Sequence, residues 1–374
     1  MIKQTCAWAV MVMTVFLTLM VADGQEVAAT NTPAMPTSGA STTPALDGLA
    51  QWQHWPDSPI NPNDGIVFGV AVDRTTGDLF IVHKNSPNTW GGPAEIYKST
   101  DQAKTFTKAN NTIIGSSLSA YHYNFDSTGK RMAFFLVGSP ASGGMSIDGG
   151  VNWAPFAVDP LKRGFECGVF DWDDTGKTCL AVLHESPTVV LSHDAGATWQ
   201  TLAGFTSPVG IFDSKTLIVG DKDHALQRST DGGATWTKVG DAPVTIRRIE
   251  SIVTFKGVGY LATPQGLLAS KDKGATWQPY GTPVNISGPQ NKFRPQGPFF
   301  GADEKHIVLF GTDGVFQTKD GGEHWAKVAP FPAEVFAHKP LFEESFAWDP
   351  VHNIVYACVR QVPALYCQLP PSTD

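Results

Sequence analysis

Short runs of β-branched and aromatic residues recur from about residue 66 to residue 369, and turn-forming residues separate them. The segments Val72–Phe80 and Trp172–Cys179 each place Asp and Gly between two apolar runs. Asp and Gly readily adopt turn conformations, whereas β-branched and aromatic residues fit strands, so these segments predict β-hairpins. No amphipathic helical run stands out. The pattern therefore predicts an all-β fold.

A second pattern, Ser/Thr-x-Asp-x-Gly-x-Thr-Trp, occurs in six copies and lies out of phase with the hairpins. The first copy is degenerate, because Ala103 and Phe106 replace the Gly and the Trp. The copies contain Asp101, Asp148, Asp194, Asp231, Asp272 and Asp320, so that successive aspartates lie 37 to 48 residues apart. This period suits the four-stranded blade of a β-propeller.

The two patterns together predict six blades, followed by strands that lack a partner at their outer edge. The predicted blades are about 66–110, 119–158, 165–204, 207–240, 248–282 and 293–329. The unpartnered strands lie within Glu343–Leu369, and Leu49–Trp55 would supply the missing outer strand. Pairing the two termini closes a seven-bladed β-propeller and removes an open sheet edge. A six-bladed propeller is the alternative.

These repeats resemble the Asp-boxes (BNR repeats) of the sialidase-like superfamily of β-propellers. That superfamily includes sialidases, two-propeller xyloglucanases, sortilin-type receptors and photosystem assembly factors, and the resemblance does not single out one of them. It covers most of residues 66–329. The resemblance implies that each box is a turn between the third and fourth strands of a blade, far from the ligand face. The box aspartates and tryptophans are therefore expected to be structural.

The N-terminal segment predicts export. Lys3 precedes an apolar run from Ala7 to Ala22, which is typical of a cleaved secretory signal over 1–24. A transmembrane anchor is the alternative reading of this run. Residues 25–47 are rich in Thr, Pro and Ser and predict a flexible linker, and 48–374 would form a single propeller domain. The expected location is secreted or periplasmic, with no membrane span after cleavage of the signal.

Cysteine spacing predicts the disulfide bonds, and the net charge bears on the class of partner. Cys167/Cys179 and Cys358/Cys367 form two close pairs that predict disulfide bonds in an oxidising compartment, with buried free thiols as the alternative. The net charge of −8 argues against a nucleic-acid partner. The sequence shows no cofactor or metal motif, so we expect neither.

Charged and aromatic residues concentrate in the segments that lead into the innermost strands and in the loops between the second and third strands. Both sets of segments converge at the mouth of a propeller channel. Such groups suit a hydroxyl-rich or acidic ligand, because arginine pairs with carboxylates and aromatic rings stack on sugars. The candidate catalytic residues are Glu166, Glu250, Glu343 and Glu344. The candidate ligand-binding residues are Tyr121, His122, Tyr123, Arg163, Arg247, Arg294, His338 and Trp90. The alternative is that these groups only pair with one another.

These residues favour carbohydrate binding, with glycoside hydrolase or polysaccharide lyase activity as a further possibility. Sialidase activity is disfavoured, because Phe293-Arg294-Pro295 is only a fragment of the Phe/Tyr-Arg-Ile-Pro motif that sialidases carry before the first box. The alternative function is a non-catalytic propeller for protein recognition or assembly.

Overall fold

The computed structural model describes fourteen segments of the chain. They are 49–55, 66–84, 94–110, 117–138, 142–157, 164–183, 188–223, 225–241, 252–263, 266–284, 296–311, 314–331, 345–358 and 365–370. These segments contain 28 strands in seven antiparallel sheets of four strands each. The predicted signal and linker lie outside the described residues. The segments contain no helix with the length and hydrophobicity of a membrane span.

The strands follow the chain in blades, each running from the channel outward. The first strand and blades one to three are β1 (Trp52–His54); β2 (Ile66–Val72), β3 (Leu79–Lys84), β4 (Ala94–Ser99), β5 (Thr107–Lys108); β6 (Ser117–Phe125), β7 (Met132–Gly138), β8 (Ser142–Ser146), β9 (Ala154–Pro155); and β10 (Phe165–Phe170), β11 (Cys179–Leu183), β12 (Val189–Ser192), β13 (Gln200–Leu202). Blades four and five are β14 (Phe205–Ile211), β15 (Leu217–Asp221), β16 (Ala225–Ser229), β17 (Thr237–Asp241); and β18 (Val253–Phe255), β19 (Val258–Thr263), β20 (Gly266–Ser270), β21 (Gln278–Tyr280). Blade six and the remaining strands are β22 (Gln296–Phe300), β23 (Ile307–Phe310), β24 (Gly314–Thr318), β25 (Ala326–Pro330); and β26 (Ser345–Asp349), β27 (Ile354–Cys358), β28 (Leu365–Gln368).

Seven blades form a closed ring, as the sequence predicted. Each inner strand contacts the inner strands of both neighbouring blades, and the last one, β26, contacts β2 of blade one. Blade seven consists of β26, β27, β28 and β1, so its outermost strand comes from the N-terminal segment. Within it Trp52 pairs with Cys367 and His54 pairs with Leu365. The prediction that Leu49–Trp55 supplies the missing strand is confirmed.

The hydrophobic core consists of seven layers, one between each pair of neighbouring sheets. The layer between blades three and four, for example, includes Cys167, Leu180 and Val209. The layer between blades seven and one includes Tyr356 and Ile81. Each sheet is therefore apolar on both faces, which explains why the inner strands read as continuous apolar runs instead of alternating patterns.

All six Asp-boxes are turns between the third and fourth strands of blades one to six, as predicted. In the third box the Ser192 hydroxyl donates to Asp194 Oδ1 over 2.8 Å and accepts from the Gly196 amide over 2.9 Å. The Thr198 hydroxyl donates to Asp194 Oδ2 over 2.6 Å. Gly196 has φ of 83°, a conformation that favours glycine. The box carboxylates thus hold their own turns closed.

The predicted disulfide bonds are absent: no disulfide bond joins Cys167, Cys179, Cys358 or Cys367, and all four side chains are buried. Cys167 pairs with Val182 across the ladder, whereas Cys179 pairs with Phe170. The two side chains consequently point to opposite faces of their sheet, and they lie in different core layers. Cys358 and Cys367 are divided in the same way. The prediction was wrong because proximity of two strands does not place two side chains on one face.

Candidate functional site

The antiparallel order of each blade divides the propeller into two faces. We define the upper face as the end at which the inner strands begin and the lower face as the end at which they end. The hairpin turns after the inner strands and all six Asp-boxes lie on the lower face. The inner strands begin at the upper face, where we expect the candidate residues to concentrate.

Five inner strands break their pairing register close to the upper face. The breaks lie at Val67/Gly69, Ser117/Ser119, Ala120/His122, Phe165/Cys167, Thr206/Val209 and Gln296/Phe299. Such β-bulges redirect a side chain away from the regular alternation and are common next to active sites. Tyr121 and Glu166 are the residues skipped in blades two and three, so two of the predicted site residues lie on bulges.

Glu166 is the predicted catalytic residue whose position is described most fully. It is the second residue of β10, and it is 7 % exposed. It precedes the turn residue Asp171 by five positions. The residue at the same spacing in blade two is Tyr121, which precedes Asp126 by five positions. Glu166 in blade three and Tyr121 in blade two therefore occupy equivalent bulge positions, although they differ in chemistry.

Two neutral polar residues at the same level were not predicted from the sequence. Ser207 is 4 % exposed and lies at the bulge of blade four, and Gln296 begins the inner strand of blade six. Both precede a cis proline closely, since the Ser207–Pro208 and Gly297–Pro298 peptide bonds are cis. Counting back from each hairpin turn would have found both residues, because their spacing matches that of Glu166.

Tyr123 lies deeper in the channel than the bulges do. Its hydroxyl donates to the carbonyl of Phe346 in blade seven over 2.7 Å, and its ring lies 6.5 Å from that of Phe299 in blade six. Neither blade adjoins blade two, so the side chain reaches across the channel. Burial raises the pKa of this hydroxyl. The structure thus shows that Tyr123 makes a contact across the channel, and the ligand contact predicted for it stays a prediction.

Arg74 crosses the lower end of the channel. It belongs to the first turn of blade one, and its guanidinium carbon lies 4.5 Å from the ring centroid of Phe255 in blade five. Phe255 in turn stacks on Phe300 at 4.3 Å. Burial lowers the pKa of Arg74, although nearby Asp173, Asp73 and Asp126 oppose this shift. Tyr123 and Arg74 together obstruct the channel below the bulges, so a ligand that enters from the upper face meets Tyr123 as a floor.

Blade one carries a cluster of polar side chains on its outer strands, near the upper face. Glu95 accepts a hydrogen bond from the Tyr97 hydroxyl over 2.9 Å and forms an ion pair with Lys108. Burial and the neighbouring carboxylate raise the pKa of Tyr97 to about 12. The ring of His83 meets that of Tyr97 edge-on at 5.7 Å. In this cluster the charges of Glu95 and Lys108 pair with each other, and none of its residues is a predicted site residue.

Most of the other candidate residues lie outside the described part of the chain. These are Trp90, Arg163, Arg247, Glu250, Arg294, His338, Glu343 and Glu344. Tyr121 and His122 lie in β6, where the strand itself is described. The described residues therefore bring Glu166 and Ser207 to the inner strands near the upper face, above the floor formed by Tyr123.

Comparison with known proteins agrees with this architecture. The family model described as BNR/Asp-box repeat matches residues 227–238, which include the fourth box. A xyloglucanase of Paenibacillus sp is 27 % identical over 312 residues, which cover 76 % of this chain and 28 % of that protein. Xyloglucanase Xgh74A of Acetivibrio thermocellus is 24 % identical over 292 residues, 70 % of this chain and 32 % of that protein. The chain thus spans less than a third of the length of these relatives.

Among solved structures, the protein described as YCF48 bound to D1 peptide is similar in fold. Its TM-score is 0.52 at 15 % sequence identity, and the match covers 89 % of this chain and 99 % of that one. At this identity the likeness concerns the fold alone.

Proposed function

We propose that this chain, a seven-bladed Asp-box β-propeller of the sialidase-like superfamily, is an exported protein that binds a polysaccharide at its upper face. The observation that carries the proposal is the similarity to two xyloglucanases over 70 % and 76 % of the chain. Export rests on the predicted N-terminal signal. The ligand would lie across the upper face, because Tyr123 obstructs the channel beneath it.

The proposed binding groups are those that the inner strands and their entry segments supply. Glu166 and Ser207 are buried on bulges, and burial strengthens the hydrogen bonds that such groups make to sugar hydroxyls. The remaining proposed ligand-binding residues are Arg163, Arg247, Arg294, Trp90, Tyr121, His122, Tyr123 and His338. Arginine at these positions favours a polysaccharide that carries carboxylates, whereas aromatic faces alone suit a neutral one.

Hydrolysis is the chemistry that a pair of carboxylates would add. Glu166 is the described candidate, and Glu250, Glu343 and Glu344 are its proposed partners. A separation of about 5 Å between two such carboxyl groups suits a retaining mechanism, and one of about 6.5 to 9.5 Å leaves room for the water of an inverting one. We propose binding as the function and hydrolysis as a further activity that released sugar would demonstrate.

The first experiment is a polysaccharide screen with the purified protein, which records both binding and released reducing sugar. Xyloglucan, cellulose and a carboxylated polysaccharide such as pectate are the probes. We expect saturable binding of at least one of them. If none binds, the proposed function is wrong.

The Glu166→Gln variant tests the role of the described carboxylate. If the protein hydrolyses a probe and Glu166 is its acid or base, product release should fall by about 10² to 10⁴-fold while binding changes little. Glu304→Gln is the matched control, because Glu304 is exposed on the lower face and pairs only with Lys256 among the described contacts. Equal activity in wild type and Glu166→Gln would remove Glu166 from the catalytic set.

Protein recognition is the second candidate function. The solved propeller that is similar in fold is described as bound to a peptide, so this fold is able to present a peptide-binding face. A protein partner captured at the upper face, together with no binding in the polysaccharide screen, would favour this function.

A further inference from the structure

The sixth Asp-box differs from the others at two successive positions. The third, fourth and fifth boxes place Ala and Thr before the tryptophan, whereas the sixth places Glu323 and His324 there. His324 occupies the place of the threonine hydroxyl, since its Nδ1 lies 2.6 Å from Asp320 Oδ2. The corresponding distance from Thr235 to Asp231 is also 2.6 Å. The turn has therefore kept its geometry while it gained an imidazole and a carboxylate.

These substitutions create a group of possible metal ligands. One ligand atom from each of Asp320, Glu323 and His324 lies within 4.8 Å of the other two. It is the one group of this kind among the residues that the structure describes. The side chain of His324 is 88 % exposed, so an ion from solvent can reach it without any rearrangement of the core.

The hydrogen bond between His324 and Asp320 decides which nitrogen is available. An ionised carboxylate only accepts hydrogen bonds, so Nδ1 of His324 carries the proton that it shares with Asp320. In the neutral imidazole, Nε2 then has the lone pair that can bind a metal ion. Histidine ligands in metal sites have this arrangement, in which one ring nitrogen donates to a carboxylate and the other binds the metal. A threonine at this position has no second side-chain atom that can bind a metal while its hydroxyl donates to the aspartate.

The backbone that carries these side chains is held from the neighbouring blade. The amide of Thr282 donates to the carbonyl of Gly322 over 2.7 Å, and the Thr282 hydroxyl donates to the carbonyl of Glu323 over 3.0 Å. Gly281 of the same segment packs directly against Gly322. A support that is already ordered reduces the entropy lost when a ligand binds.

We propose that His324, through Nε2, and Glu323 bind a divalent transition-metal ion at the lower face, while Asp320 orients the His324 ring as its hydrogen-bond partner. An imidazole with carboxylate oxygens suits zinc, nickel or copper better than magnesium or calcium, which prefer oxygen alone. The site lies on the face opposite the proposed polysaccharide site and does not depend on it.

The test is calorimetric titration of the untagged, full-length protein with zinc chloride. The informative variant is Glu323→Ala/His324→Thr, which makes residues 320–325 identical to residues 231–236 of the fourth box. Because that sequence already forms a box in this protein, the variant should fold, and its melting temperature without metal should match that of the wild type. We expect one zinc ion per wild-type molecule and at least a tenfold weaker affinity in the variant.

His193→Thr is the matched control, because it removes an exposed box histidine outside the group and restores the residue of the fourth box at that position. Its zinc affinity should equal that of the wild type. Magnesium in place of zinc should give no saturable binding. No saturable zinc binding by the wild type, or equal affinities in wild type and Glu323→Ala/His324→Thr, would overturn the proposal. Zinc should also raise the melting temperature of the wild type and not that of the double variant.

Discussion

The carboxylates of the Asp-boxes accept hydrogen bonds from their own turns. In the fourth and fifth boxes, Asp231 and Asp272 each accept one hydrogen bond from a threonine hydroxyl and one from the amide of the same threonine. These bonds stabilise the ionised form. They lower the pKa of both aspartates from 3.8 to about 2, with the threonine hydroxyl as the largest cause.

This lowering predicts a loss of stability in acid. The pKa of the folded state is below that of the unfolded chain, so the stabilisation is complete above about pH 4 and is lost as the pH falls toward about 2. Thermal unfolding between pH 6 and pH 2 measures it. The Asp231→Asn/Asp272→Asn variant should have a lower melting temperature than the wild type at pH 6. Its melting temperature should also fall less between pH 6 and pH 2. Parallel pH profiles for wild type and variant would show that these carboxylates do not contribute.

The degenerate first box provides a second prediction for a single residue. Ala103 has φ of 67°, whereas the glycines in the other five boxes have φ between 81° and 93°. A left-handed conformation costs a residue with a Cβ about 1 kcal/mol. Ala103→Gly should therefore raise the free energy of unfolding by about 1 kcal/mol in denaturant titration. Gly196→Ala should lower it, because the added Cβ would lie 2.6 Å from the ring of Phe156.

At the scale of the strand, register decides which side chains can meet. The hairpin and box patterns located each blade within a few residues, because turn chemistry is local. The side chain of each strand residue, however, faces one of two neighbouring blades. Cys179 lies between blades two and three, and Cys167 lies between blades three and four.

We therefore expect four buried thiols to persist in the native protein. Cys167, Cys179, Cys358 and Cys367 should not react with a thiol reagent under native conditions, because the reagent cannot reach them and because burial raises the pKa of Cys179 and Cys367. All four should react after denaturation without reductant. Mass spectrometry of the alkylated protein identifies the labelled residues. A cysteine that stays unlabelled after denaturation would indicate a disulfide bond.

At the scale of the whole molecule, the ring depends on strand β1 from the N-terminal segment. Trp52 links blade seven to blade six, since its indole donates to the carbonyl of Pro330 over 2.6 Å and its ring lies 6.0 Å from that of Phe331. Trp55 stacks on Phe106 at 5.6 Å across the boundary between blades seven and one. Phe106 is the residue that replaces the tryptophan in the first box, so Trp55 supplies a large ring where that box lacks one.

Trp52→Ala should consequently lower the free energy of unfolding by about 3 kcal/mol, because a large aromatic side chain is removed from a packed boundary. Gln51→Ala is the control from the same segment, since Gln51 is exposed and donates only to the carbonyl of Leu49. Denaturant titration of both variants measures the difference. Equal stabilities would mean that the strand closes the ring without the help of Trp52.

The sequence by itself determined the strand content, the turns and the first six blades. Each of these follows from residues that are close along the chain, such as Ser192, Asp194 and Gly196, whose hydrogen bonds form within one turn. The repeat then fixed the architecture, because a blade with two apolar faces must pack against copies of itself. The six boxes were interpreted correctly for the same reason.

Only the tertiary structure decided which residues meet across the ring. The hydroxyl of Tyr123 donates to the carbonyl of Phe346, which lies more than two hundred positions away in the chain. Arg74 reaches Phe255, and the paired cysteines lie in separate core layers. These outcomes depend on closure of the seven sheets and on the face that each strand residue presents. Local patterns specify turns and strands, whereas contacts across the channel arise only when all seven sheets have packed.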